Sequence, residues 1–126
     1  MESTTVGNLL WQNSNTTSNF EEQNITLSNS NYDYLKILFF NTTDNDIIYT
    51  VDIFKGLSGQ ISWSTVYCAT PATNRIFRRD ITYISDTIYK IGTGIYGQFD
   101  TSKSTYSKNN KYCIPYKIYG YKFVSN

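Results

Sequence analysis

The sequence predicts an all-β fold, an antiparallel β-sandwich or jelly roll of about eight strands. Three observations carry this. Tyr, Ile, Thr and Asn are abundant while Ala, Leu and Glu are scarce, a balance that disfavours helices and suits pleated sheets. Apolar residues recur at alternate positions, the period of a strand with one covered face. Clusters of Asn, Asp, Ser, Thr and Gly interrupt these runs at roughly 8–12-residue spacing, as the turns of a sandwich do. The 126 residues suffice for one domain, residues 1–126, with residues 1–8 expected to form an extended tail.

Taken in order, Leu9-Leu10-Trp11 is a short apolar piece, followed by an Asn/Ser/Thr-rich surface loop over residues 13–19. A strand over residues 23–27 leads through the turn Ser28-Asn29-Ser30-Asn31 into a strong strand over residues 32–40. Residues 41–46 (Asn-Thr-Thr-Asp-Asn-Asp) form a hairpin connection, because Asn and Asp make local side-chain turns and tolerate positive φ. In the partner strand, residues 47–54, Tyr49, Val51 and Ile53 face one way and Thr50 and Asp52 the other. Gly56-Leu57-Ser58-Gly59 turns the chain into a strand over residues 60–68, and residues 69–74 are a loop. The next strand, 75–85, sets Phe77, Ile81 and Tyr83 against Arg78, Asp80 and Thr82. Another continues over 87–99, with Tyr89, Ile91 and Ile95 opposite Lys90, Gly92 and Gly94. A polar connection, 100–110, precedes the closing strand over 112–123. There Tyr112, Ile114, Tyr116 and Ile118 share one face and Tyr119, Tyr121 and Phe123 the other. A strand apolar on both faces needs cover on both, from its own domain and from a second chain.

Aromatic residues make up 17% of the chain and twelve are Tyr, a side chain suited to half-buried sheet faces and interfaces. The net charge of +1 provides no field to draw nucleic acid or acidic lipid, so neither is expected as a partner. No apolar run approaches the roughly 20 residues of a membrane span. The opening Met1-Glu2-Ser3-Thr4-Thr5 has neither a basic nor an apolar leader region, so synthesis in a cytoplasm is expected. For Cys68 and Cys113, a disulfide requires neighbouring strands, and cytoplasmic synthesis favours reduced, buried thiols.

The chain contains no His, which removes Ser-His-Asp and Cys-His catalysis and ordinary structural zinc sites. No catalytic residue, metal site or cofactor is expected, and the chain is read as non-enzymatic. Gly92-Thr93-Gly94-Ile95-Tyr96-Gly97 has the letters of a dinucleotide fingerprint, but no helix follows to hold a pyrophosphate, so a sheet feature is the preferred reading. Asp44 and Asp46 flank a hairpin turn that lacks the Gly and distal Glu of a calcium loop. Glu21 and Glu22 are adjacent and would point to opposite faces of a strand. Arg75, Arg78 and Arg79 form a basic cluster, read first as charge protecting an exposed strand and second as an anion site. Trp11, Trp63 and Tyr67 could stack on sugars, although burial is favoured for both Trp residues. The candidate glycan contacts are Trp63, Tyr67 and Arg78. Three Asn-x-Thr sequons are by-products of composition.

Three segments together carry a resemblance: residues 10–20 from Leu10-Trp11 to Phe20; Ile25-Thr26-Leu27-Ser28 through Tyr32-Asp33-Tyr34-Leu35-Lys36-Ile37; and the ending Ile114-Pro115-Tyr116-Lys117-Ile118-Tyr119-Gly120-Tyr121-Lys122. Their order resembles small β-domains of tail, baseplate and fibre proteins in tailed bacteriophages, over residues 9–123. The resemblance implies a surface-exposed virion structural protein, assembled in the host bacterial cytoplasm. It also implies contacts with other virion proteins and with its own copies, a trimer first, and a contribution to host attachment. Residues Tyr34, Lys36, Leu38, Phe40, Tyr119, Tyr121 and Phe123 are the expected assembly interface. The rival readings are a module binding bacterial surface polysaccharide and a capsid decoration protein.

Overall fold

A computed structural model describes residues 7–67, 73–99 and 104–124. They form ten strands and, among the described residues, no helix: β1 (Asn8–Gln12), β2 (Gln23–Thr26), β3 (Tyr34–Thr42), β4 (Ile48–Phe54), β5 (Gly59–Tyr67), β6 (Thr73–Ser85), β7 (Ile88–Ile91), β8 (Ile95–Phe99), β9 (Ser104–Lys108) and β10 (Tyr112–Tyr121). Every pairing is antiparallel. The strands make two sheets packed as a β-sandwich. The first has the order β1-β10-β3-β4; the second runs β2-β7-β6-β8-β9, with β5 on the other edge of β6.

The expected strand over 87–99 is two strands, because Gly92-Thr93-Gly94 breaks it and redirects the chain. The expected polar connection over 100–110 contains β9, whose residues pair with β8 despite their low hydrophobicity. Asn8 pairs with Gly120 and so belongs to β1, while residues 1–6 of the expected tail lie outside the described residues. The hairpin at residues 41–46 forms as expected: the Asp44 amide donates to Thr42 Oγ1 and Asn45 adopts φ 58°.

The core follows the alternation. Leu35, Ile37 and Phe39 of β3, Ile53 of β4, Ile61 of β5, Phe77 and Ile81 of β6 and Tyr89 and Ile91 of β7 are all buried. An aromatic column crosses between the sheets. Phe39 stacks on Tyr49, Tyr49 on Trp63 and Trp63 on Phe77, with Phe77 then meeting Tyr96 and Tyr112. Trp63 Nε1 also donates to the carbonyl of Asn41 across the sheets, 3.1 Å away. The closing strand departs from simple alternation. Its register against β3 shifts between Pro115 and Lys117, so Cys113, Ile114, Pro115 and Ile118 are buried together while Tyr116 packs against Phe40.

The second sheet is forked. Along one edge β6 pairs with β5 continuously from Thr73 to Ile81. Along the other it pairs with β8 over residues 74–78 and with β7 over residues 81–85. The gap falls at Arg79 and Asp80, where the Gly92 amide donates to the Asp80 carbonyl. Arg79 was expected in an exposed basic cluster; instead it shares the inward face of Phe77 and Ile81 and is fully buried. Its Nη1 donates to the Gly92 carbonyl (2.9 Å), Nη2 to that of Asn110 (2.8 Å) and Nε to that of Tyr112 (3.0 Å). The Phe20 ring lies 5.5 Å from the guanidinium. Burial lowers its pKa to about 10, which leaves it charged at neutral pH. One planar cation thus closes the crotch of the fork and ties it to the turn before β10. Gly94 completes the joint: its amide donates to Asn110 Oδ1, and an added Cβ would fall 2.3 Å from the Asn109 carbonyl oxygen.

A second polar joint closes one end of the sandwich. The buried Tyr32 hydroxyl donates to the Asp86 carbonyl (2.8 Å) and lies 3.0 Å from the Tyr89 hydroxyl. Lys55 lies over the Tyr32 ring and 3.9 Å from the Asp86 carboxylate. Burial, then the Tyr89 hydrogen bond, raises the Tyr32 phenol above its ordinary value.

Two outcomes follow from these joints. Replacing Arg79 by Met strands three carbonyls, so urea denaturation should show a loss of about 3 kcal/mol or more. Arg79→Lys should recover only part of it, because an ammonium cannot span all three acceptors; a wild-type midpoint for Arg79→Met would refute the assignment. Tyr32 holds its proton more tightly folded than unfolded, so its contribution is complete below about pH 10 and is lost as the pH climbs further. Urea midpoints should therefore fall above about pH 10, and Tyr32→Phe, with no proton to lose, should flatten that fall. The same slope in both proteins would contradict this.

Candidate functional site

Two surfaces stand out, one on the outer face of each sheet. On the first sheet, residues 34, 36, 38 and 40 of β3 point away from the buried 35, 37 and 39. Register aligns Tyr121 with Tyr34 and Tyr119 with Lys36 on one side, and Phe54 with Tyr34 and Asp52 with Lys36 on the other. Leu9 of β1 lies opposite Tyr119. The Tyr34 ring stacks on Tyr121 (5.3 Å) and on Phe123 (5.7 Å), and its edge meets Phe54. Phe54 remains 56% exposed, Phe123 60% and Leu9 45%, so the rings gather without being covered. At the centre Lys36 Nζ meets Asp52 Oδ1 at 3.0 Å, and that hydrogen bond raises the Lys36 pKa. The one ion pair in the middle of this face is internally compensated.

Six of the seven residues expected as an assembly interface come together here. Tyr34, Lys36, Leu38, Tyr119 and Tyr121 share the outer face, and Phe123 joins it from just past the end of β10, its amide donating to Asp33 Oδ2. Phe40 has the same parity but is buried against Tyr116 at the far end of the face. Sequence reasoning missed Phe54 and Leu9. The alternation of β4 already put Phe54 on the side of Thr50 and Asp52, which was the available signal.

The candidate glycan residues do not converge. Trp63 pairs with Phe77 on the inner face, its ring lying between Tyr49 and Phe77, so neither side is open to a sugar. Arg78 pairs with Ser62 and points to the opposite, outer face. Tyr67 ends β5, and its side chain lies outside the described residues. Trp11 packs edge-on against Phe20.

The outer face of the second sheet holds its own relief. In the fork, Glu22, Asp80, Thr82, Lys90, Gly92, Thr93, Ile95 and Lys108 line an open cleft of about 340 Å³. Lys90 and Glu22 approach to 3.7 Å across it. Beside it, sharing Ile95 and Lys108, a trough of about 360 Å³ adds Arg78, Tyr106 and Ser107. Sequence reasoning missed both, because they depend on β7 and β8 diverging and on β9 existing at all. The Gly-x-Gly-x-x-Gly letters mark this fork: Gly92 and Gly94 form the joint and Gly97 sits within β8.

Nucleophilic chemistry finds little support at the one described thiol. Cys113 is a free, fully buried cysteine, and burial pushes its pKa up to about 12, far from a thiolate at neutral pH. Cys68 lies outside the described residues. Among the described residues no three of His, Cys, Asp and Glu gather as a metal-binding group, Asp44 and Asp46 included. Among the described residues no helix is long and apolar enough to cross a membrane. No protein-family model, curated protein or solved structure matches the chain.

Proposed function

We propose that this protein is a non-enzymatic assembly module, working by burial of the outer face of its first sheet against neighbouring subunits. The observation that carries the proposal is the gathering of Tyr34, Phe54, Tyr121 and Phe123, with Leu9 and Leu38, on one side of a four-stranded sheet with no other described element over it. Aromatic-rich cores are what protein interfaces bury, and the Lys36–Asp52 pair at the centre adds no net charge to repel a second copy. The chain's net charge of +1 is equally permissive of self-packing. The sequence resemblance supplies the setting: a surface component of a bacteriophage tail, baseplate or fibre, built from several copies, of which a trimer is the first expectation, and adjoining other virion proteins. Host attachment would then be a property of the assembled array.

Sedimentation velocity over a wide concentration range tests the mechanism directly. The wild-type chain should associate. Phe54→Asp should remain folded by circular dichroism and lose association by about tenfold or more, since it places a charge in an apolar contact. A chain that stays monomeric at high concentration and binds no virion component would end the proposal. Location is decided separately, by imaging the particle with this chain placed in it.

A further inference from the structure

The trough on the second sheet has a ligand chemistry of its own, independent of the assembly face on the first. Its floor comes from a missing side chain. Gly97 of β8 pairs with Tyr106 of β9, and a Cβ added at Gly97 would lie 3.1 Å from the Phe99 ring and 3.2 Å from the Tyr106 ring. The two rings therefore lean into the space above the glycine, meeting edge to face at 5.4 Å. Tyr106 is nevertheless 65% exposed, the most open of the large apolar side chains. Ile95 and Ile76 extend this apolar ground, and Arg78 stands between them.

The electrostatics are one-sided. Among the described residues, the lining of the trough includes Arg78 and Lys108 and no carboxylate. Neither cation takes part in any ion pair among the described residues. Arg78 Nε is buried and has no hydrogen-bond partner, a donor whose desolvation is uncompensated in the free protein. The adjoining fork cleft then supplies the hydroxyls of Thr82 and Thr93, the carboxylates of Glu22 and Asp80 and the ammonium of Lys90. At about 360 Å³ the trough is at the small end of ligand sites, which run from roughly 300 to 1,000 Å³.

We propose that this trough binds an acidic saccharide, with a sugar face on Tyr106, its carboxylate or phosphate between Arg78 and Lys108, and further hydroxyls in the fork cleft. Each part of the surface selects for that class. The exposed ring wants a flat C–H face, the two cations want one localised negative group, and the mixed cleft wants neutral hydroxyls. A single-stranded nucleic acid would also bring anions and stacking. It would, however, run successive phosphates past Glu22 and Asp80 on a protein of net charge +1. Of the glycan contacts expected from sequence, this site keeps Arg78 and discards Trp63.

Calorimetric titration of the full chain decides the matter with four probes: tetragalacturonate, a galactose tetramer carrying 6-phosphates, a neutral galactose tetramer and single-stranded oligothymidine. At least one of the two acidic probes should bind, about tenfold or more tighter than the neutral tetramer, and which of the two binds tells carboxylate from phosphate as the source of charge. Lys108→Gln and Tyr106→Ser should each weaken binding by about tenfold, with the melting temperature unchanged for Lys108→Gln and the β-sheet circular-dichroism spectrum retained for Tyr106→Ser. Phe54→Asp, on the other sheet, should leave it unaltered, which separates this site from the assembly face. No binding of either acidic probe, equal affinity for the neutral tetramer, tighter binding of oligothymidine, or indifference to both variants would each overturn the assignment.

Discussion

The second sheet depends on a single buried guanidinium. A strand as long as β6 could take one continuous partner on each edge. Here one edge is divided between β7 and β8, and into the opening turn the carbonyl of Gly92 and, from the turn before β10, those of Asn110 and Tyr112. Unpaired acceptors in that position would each be costly. Arg79 satisfies all three with a rigid fork of donors and keeps its charge without a buried carboxylate beside it. The Phe20 ring covers the cation, and Glu21 next to it accepts from Asn110 Nδ2, so the early loop is drawn into the same joint.

From that joint the division of labour between the faces follows. The first sheet has no such fork, and its outer surface is an aromatic field around the Lys36–Asp52 pair. The second is broken at Arg79 and Asp80, and the break makes a polar cleft with an apolar trough beside it, a relief suited to a small hydrophilic ligand. The aromatic column through Tyr49, Trp63 and Phe77 separates the two. The Trp63 ring, which looked available for stacking on a sugar, is instead part of what holds the sheets together.

The fold class and the side chains of the first sheet's outer face were legible because both obey a period of two. Leu35, Ile37 and Phe39 go in, so Tyr34, Lys36 and Leu38 go out, and the same count placed Tyr119 and Tyr121. Legibility failed where a residue breaks its own chemistry. Arg79 has the parity of Phe77 and Ile81, yet a charged side chain reads as exposed unless its acceptors are known, and those come from distant loops. It failed again at β9, a strand of Ser, Thr, Tyr and Lys held by its pairing with β8. The glycan candidates were misplaced for a related reason: Trp63 and Arg78 were grouped by residue type, whereas cross-strand register sets them on opposite sides.

The position of β10 has a consequence for how the chain acquires its shape. It lies in the interior of the first sheet, between β1 and β3, although it is the last strand in order. Until residues 112–121 have left the ribosome, β1 has no neighbour and β3 has one bare edge. The nascent chain must therefore wait, with Leu35, Ile37 and Phe39 unsealed, for contacts that span most of its length. Closure of the first sheet thus rests on pairings of large sequence separation, the kind whose loop-closure entropy slows folding.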